Sequence, residues 1–194
     1  MNNLIEAVSN YVKLFLEENL SDQIKFHTIE HTKMVVNAVK AIGIHENLPV
    51  HEMETVIISA WFHDCGYAKT YIRHEDESKK IAKSFLGKFG CESYFIDTVL
   101  KCIDATKYPQ NPLCLVEKIL CDADMYHLTS PNYPKYEKAL RQEFEKYLGL
   151  IYNDENWKIK NCNFFREHVY HTEYGQKVLS RFKEVNLKLM NCQK

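Results

Sequence analysis

The chain has 194 residues, 45% of them apolar, enough for one core of ordinary size and far from the composition of a disordered segment. Lys and Arg (25) nearly balance Asp and Glu (26), leaving a formal net charge of -1, so no overall field draws the chain onto nucleic acid or an anionic membrane, and neither is expected as a partner. Met1 to Leu20 is apolar only in stripes and carries Glu6, Lys13, Glu17 and Glu18; it fits neither a signal peptide nor a membrane span, which makes the cytoplasm the expected compartment.

Helical periodicity runs through almost every long segment. Leu4, Val8, Tyr11, Val12 and Phe15 line one face of a first helix. A second is predicted from about Thr28 to Ile42, with Gly43 as its stop. Pro49 suits the first turn of a third, which carries Val56, Ile57, Ile58, Ala60, Trp61 and Phe62 and ends near Gly66. That segment is apolar nearly all round, so it should lie at the centre of the fold. A polar and aromatic connector, Tyr67 to Arg73, leads to a helix from about Glu75 to Leu86, and Tyr94 to Ala105 forms the next. Asn111-Pro112 reads as a cap and first-turn proline for a helix reaching Asp124. After the loop Ser130 to Pro134, helices are expected near 134–148, 155–168 and 172–190. With no strand alternation, repeat or linker, the expected architecture is an all-α, single-domain helical bundle over residues 1–194.

Seven cysteines stand at Cys65, Cys91, Cys102, Cys114, Cys121, Cys162 and Cys192. The number is odd and no pair has CxxC spacing, which argues against both a zinc finger and a disulfide framework. Free, mostly buried thiols in a reducing compartment are expected instead.

The residues that carry chemistry lie at helix ends. His27 and His31 are four apart, a spacing that turns both rings to one side of a helix. His63-Asp64 closes the most apolar helix, and Asp122-Ala123-Asp124 closes another whose apolar run is Leu115, Val116, Ile119 and Leu120. Singly these are weak signals: a buried histidine is usually a satisfied core residue, and an aspartate at a helix end usually caps or faces water. Charges at the ends of apolar helices are costly unless paired, however, and imidazoles and carboxylates from three helices can converge in a bundle interior.

Three segments together resemble the signatures of the HD-domain superfamily of metal-dependent phosphohydrolases. They are Phe26-His27-Thr28-x-x-His31-Thr32-x-x-Val35, Ala60-Trp61-Phe62-His63-Asp64-Cys65-Gly66-Tyr67 and Leu120-Cys121-Asp122-Ala123-Asp124. His74-Glu75-x-x-Ser78-x-x-Ile81-Ala82 and Ile103-Asp104-Ala105-Thr106 are similar to a branch of small predicted HD hydrolases. The likeness covers a motif core of roughly 26–128, with the C-terminal helices packing on it. It implies metal ligands at His31, His63, Asp64 and Asp124, with Asp64 also taking a catalytic part. It places His27 where cyclic-nucleotide phosphodiesterase relatives keep an acid for the leaving group. Some nucleotidase relatives carry a water-activating glutamate three residues after the motif aspartate. Here that place is Tyr67, so another residue must act as base, or Asp64 itself orients the water.

Such a ligand set suits one divalent ion (Mn, Fe, Co, Ni, Zn or Mg) and leaves room for a second. The implied reaction is hydrolysis of a phosphomonoester or phosphodiester of a nucleotide or similar small molecule by a metal-activated water. His74 is a candidate acid/base, phosphate contact or second-metal ligand, or else an exposed first-turn residue. Lys69, Arg73 and Lys107 are candidate phosphate contacts, or else solvated. Tyr67 and Tyr71 could stack on a base or simply pack, and His168 and His171 match no metal pattern. Two rival functions stand: an HD-fold module that binds a nucleotide without turnover, and a di-iron oxygenase, which would need two further histidines where only His74 is found. Oligomeric state is left open.

Overall fold

A computed structural model describes residues 2–192. Among them nine α-helices and no strand are found: α1 (Asn2–Asn19), α2 (Ile29–His45), α3 (Val50–Phe62), α4 (His74–Phe89), α5 (Ser93–Ala105), α6 (Leu115–Asp124), α7 (Tyr133–Leu148), α8 (Asp154–Glu167) and α9 (Ser180–Leu189). The all-α expectation holds. Short 3-10 turns follow α3 (Cys65–Ala68) and α6 (Met125–Thr129), and a π-helical turn (Gly175–Leu179) runs into α9. None of these helices is long and apolar enough to cross a membrane.

The centre of the fold is α3, as its sequence predicts. Thr55 to Phe62 are all buried, and the helix packs against α1, α2, α4, α5 and α6. Val8, Val12 and Leu16 from α1 and Val35, Val39 and Ile42 from α2 close on it. Val99 and Ile103 from α5 complete that core together with Ile119 and Leu120 from α6. Burying an aliphatic side chain of this size stabilises by about 1.5–3 kcal/mol, so the helix that leads into the His63-Asp64 pair is firmly anchored.

Three helix boundaries depart from the sequence expectation. Gly43 does not end α2, which runs on to His45; the chain turns at Asn47, with φ of 53°. A Cβ on Gly43 would stand 2.5 Å from the Met53 side chain, so this glycine serves the close crossing of α2 and α3. Second, α6 begins at Leu115 rather than at Pro112, because Glu117 reaches back to accept the Leu113 N–H at 2.6 Å and fixes the start there. Third, the last predicted helix is interrupted by the π turn. Gly175 lies so close to the Asp122 carboxylate that a Cβ would be 2.3 Å from it.

The cysteines also need correction. Cys162 of α8 and Cys192 are joined in a disulfide that ties the end of the chain to that helix, whereas Cys65, Cys102 and Cys121 are free and buried as expected. The bonded pair is 30 residues apart and comes together only through the packing of α8 beside α9, which no spacing motif announces.

Candidate metal centre

His31 sits in the first turn of α2 and is buried, its ring packed 4.6 Å from that of Phe26. His63 follows the last residue of α3. Its Nδ1–H donates to the carbonyl of Ala60 at 2.8 Å, a bond made inside its own helical turn, which turns Nε2 toward the carboxylates. Asp64 is next in the chain and Asp124 ends α6.

These four side chains converge. His31 Nε2 lies 3.1 Å from Asp124 Oδ1 and 3.3 Å from Asp64 Oδ2, while His63 Nε2 lies 3.1 Å from Asp64 Oδ2 and 3.6 Å from Asp124 Oδ1. One atom each from His31, His63 and Asp124 falls within a 4.8 Å span; Asp64 stands outside that trio, its Oδ2 3.3 and 3.1 Å from the two imidazoles. His63 Nε2 and Asp64 Oδ2 are both buried and have no hydrogen-bond partner. With Nδ1 committed to Ala60, His63 Nε2 and Asp64 Oδ2 meet across 3.1 Å, an arrangement satisfied by a proton on Nε2 or by a metal ion that takes its place. Burial pushes the His63 pKa down, yet Asp64 and Asp124 outweigh it and hold it well above the ordinary histidine value. Burial alone would raise Asp64, but chiefly His63, then His74, carry it well below the usual carboxylate range. The same field that favours positive charge here would favour a divalent ion, and the donor set of imidazole nitrogens and carboxylate oxygens fits one.

Around this cluster lies an aromatic wall. His74, the first residue of α4, places Nε2 3.3 Å from the other oxygen of Asp64. Tyr67 is sandwiched between the His27 and His74 rings, with centroids 4.0 and 3.8 Å away, and its hydroxyl lies 3.2 Å from His27 Nε2. Tyr71 continues the wall and stacks on Tyr147 of α7 at 4.6 Å. The backbone that allows this close approach depends on Gly66, where a Cβ would fall 1.8 Å from the His74 carbonyl oxygen.

Sequence reasoning missed Glu143. Fully buried on α7, its carboxylate accepts the Nδ1–H of His27 at 2.6 Å and the backbone N–H groups of Lys25, Phe26 and His27 at 2.6, 2.6 and 3.3 Å. It also accepts the Tyr71 hydroxyl at 3.3 Å. Burial lowers the His27 pKa, but the Glu143 hydrogen bond prevails and raises it; burial raises Glu143, and the bond from His27 prevails in lowering it. His127 was likewise missed. It lies under Phe26, donates from Nδ1 to the Asp124 carbonyl at 3.1 Å, and is held neutral by burial and by the nearby His31, its pKa brought down to about 4.

The three cationic candidates are engaged elsewhere. The Lys69 ammonium lies 5.6 Å over the Phe15 ring. Arg73 pairs with Asp76 at 2.7 Å, and Lys107 pairs with Asp76 and Asp104, both at 2.8 Å. Arg73, Asp76 and Asp104 line an open groove of about 920 Å³ beside α4 and α5, which also carries Lys79, Lys80, Lys83 and Lys101. Asp122, two residues before Asp124, faces away from the cluster and holds the C-terminal segment, accepting the N–H groups of His171 and Thr172 at 2.7 and 2.9 Å. His168 is a half-buried residue packed on Tyr170 at 4.6 Å, far from this role.

Residues 28–129 match the family model for the HD domain. No curated protein matches the chain by sequence. Among solved structures it is similar to a predicted HD superfamily hydrolase from an uncultured Thermotogales bacterium, at 20% identity and a TM-score of 0.63 over 94% of this chain and 88% of that one. The matched span contains His31, His63, Asp64 and Asp124 and stops short of α7 and Glu143. The chain belongs to the HD-domain family.

Proposed function

We propose that this protein is a metal-dependent phosphohydrolase, with His31, His63, Asp64 and Asp124 holding a divalent cation. The observation that carries this reading is the buried convergence of His63 Nε2 and Asp64 Oδ2, 3.1 Å apart and hydrogen-bonded to nothing else, with Asp124 and His31 from two other helices. Membership of the HD family supports it, since a cluster of this composition lies within the matched span. A bound divalent ion supplies Lewis acidity, easing deprotonation of water and offsetting charge on a phosphoryl oxygen.

The chain's own residues supply the rest. Asp64 Oδ1 and His74 Nε2, 3.3 Å apart, present an acceptor and a ring nitrogen that orient an attacking water, which removes the need for a glutamate where Tyr67 stands. His27 is the acid for the leaving oxygen: Glu143 holds its Nδ1 side, and Nε2 faces the wall beside the cluster. Tyr67, packed between His27 and His74, fixes the separation of acid and water-orienting groups. Small phosphate esters, nucleotides among them, are the proposed substrates.

The test is metal analysis of the purified protein, then a phosphate-release screen over nucleotides and simple esters with each divalent metal restored in turn. One bound equivalent and metal-dependent release are expected, both lost in His63→Ala. A His63→Ala protein with full metal content and turnover would remove the assignment.

A further inference from the structure

The charge around the cluster narrows the substrate. Among the described residues, Asp64 and Asp124 are faced at ion-pair distance only by imidazoles, from His31, His63 and His74. Glu143 is likewise faced only by His27. Lys69, Arg73 and Lys107 are turned onto Phe15, Asp76 and Asp104. Two carboxylates offset one divalent ion, and a Glu143–His27 pair sums to neutral at most. With the imidazoles of His31, His63 and His74 neutral, the site with its ion is therefore neutral or slightly negative. A dianionic monoester or a polyphosphate is ordinarily met by fixed guanidinium or ammonium groups, and Lys69, Arg73 and Lys107 are engaged elsewhere. His31, His63 and Asp64 are buried, and uncompensated charge beside them is expensive.

The wall beside the cluster is aromatic, with Tyr67 and Tyr71 meeting edge to face at 62°. His27, Tyr67 and Tyr71 run in sequence outward from His31, and Tyr147 from α7 lies face to face with Tyr71 at an interplanar angle of 3°. Stacked tyrosines of this kind suit a planar aromatic group. Resting on the phosphohydrolase reading above, we infer that the substrate is a phosphodiester, carrying a single negative charge, with a nucleobase or similar aromatic ring seated against Tyr71 and Tyr147. In the reaction, the water oxygen forms a bond to phosphorus as the bond from phosphorus to one ester oxygen breaks. The departing oxygen takes a proton from His27, a proton from the water restores His27, and the products are an alcohol and a phosphomonoester. The product bears one more ionisable oxygen than the substrate, so the same charge balance speeds its release.

The experiment compares three probes that share one leaving group: p-nitrophenyl phosphate, methyl p-nitrophenyl phosphate and the p-nitrophenyl ester of thymidine 5′-phosphate. Each is assayed on the full chain with each divalent metal restored and metal content measured alongside. The first two differ by one charge, and the last two by the nucleoside. For the methyl diester, kcat/KM is expected to exceed that of the monoester by about tenfold or more. The thymidine ester should exceed the methyl ester, with the gain lost in Tyr147→Ala. A monoester that reacts as fast as the methyl diester, or faster, overturns this inference and leaves the hydrolase reading standing. Equal rates for the two diesters overturn the aromatic seat. If none of the three reacts although the metal is stoichiometrically bound, the hydrolase reading falls and takes the inference with it.

Discussion

The carboxylate of Glu143 and the imidazole of His27, 116 residues apart in the chain, meet at 2.6 Å, and the same carboxylate gathers the backbone N–H groups of Lys25, Phe26 and His27. One buried side chain on α7 thus holds both the ring and the backbone from which it projects. The entry into α2 has Thr28 in an extended conformation with no side-chain cap, so Glu143 does for this loop what a cap would do for a helix.

Glu143→Ala should therefore destabilise the fold by about 3 kcal/mol, since it strands the buried Phe26 N–H and removes the acceptor of the half-buried His27 ring. Urea denaturation monitored by circular dichroism measures this, and a midpoint equal to that of the parent would refute the bracing role. Glu143→Gln, which keeps an acceptor oxygen, should recover most of the loss.

His27→Asn should lower turnover about 10²–10⁴-fold for an ester whose leaving oxygen is an alkoxide. With p-nitrophenolate, which leaves without a proton, the loss should be small. Similar losses for both leaving groups would mean that His27 positions substrate rather than donating a proton.

The bond between His27 and Glu143 sets a pH window for stability in protein stripped of divalent ions. The His27 pKa is raised in the fold, so its contribution is full below the ordinary histidine value and fades as pH rises through the raised one. Glu143 is lowered, so its contribution is present above the ordinary glutamate value and is lost as pH falls through the depressed one. The stability difference between the parent and Glu143→Gln should consequently be widest from mildly acidic to neutral pH and shrink on either side. A difference that is flat with pH would show that the pair is not ionised.

Gly66→Ala tests the close approach that brings α4 to the Asp64 turn. The added methyl would meet backbone, the His74 carbonyl oxygen at 1.8 Å and the Ser78 nitrogen at 2.9 Å, and a helix backbone cannot swing aside as a side chain can. A loss of about 3 kcal/mol or more is expected, read from the thermal or urea transition. Metal affinity should fall as well, through displacement of Asp64.

Removal of either imidazole at the centre, by His31→Ala or His63→Ala, should weaken metal binding by more than the ~10–100-fold that loss of a supporting residue costs. Isothermal titration with Mn or Zn gives the number. Unchanged affinity in both variants would place the ion elsewhere.

Much of this arrangement can be read in the sequence, and the reasons are local. His63-Asp64 stands out because charge is costly at the end of a helix as apolar as Val56 to Phe62, and the HD signatures add His31 and Asp124 at matching intervals. Glu143 gives no such sign. It lies among Glu137, Glu145, Lys138 and Lys146 on a polar helix, where nothing in composition separates the one buried acid from its solvated neighbours. Asp122 and Asp124 look interchangeable as residues; only the helical turn decides that one faces the cluster and the other faces Thr172. Gly43 is misread for a related reason, since the same residue type ends helices and permits close crossings, and Met53 decides which.

The His63 ring is held by a carbonyl three residues back in its own helical turn, so its aim depends on local chain alone. The orientation of His27 is settled only when a distant helix arrives. Two halves of the site are thus governed by parts of the chain that can vary independently. A lineage, or a designer, could reshape the inner face of α7 to accept new molecules while the ion's cradle stays untouched.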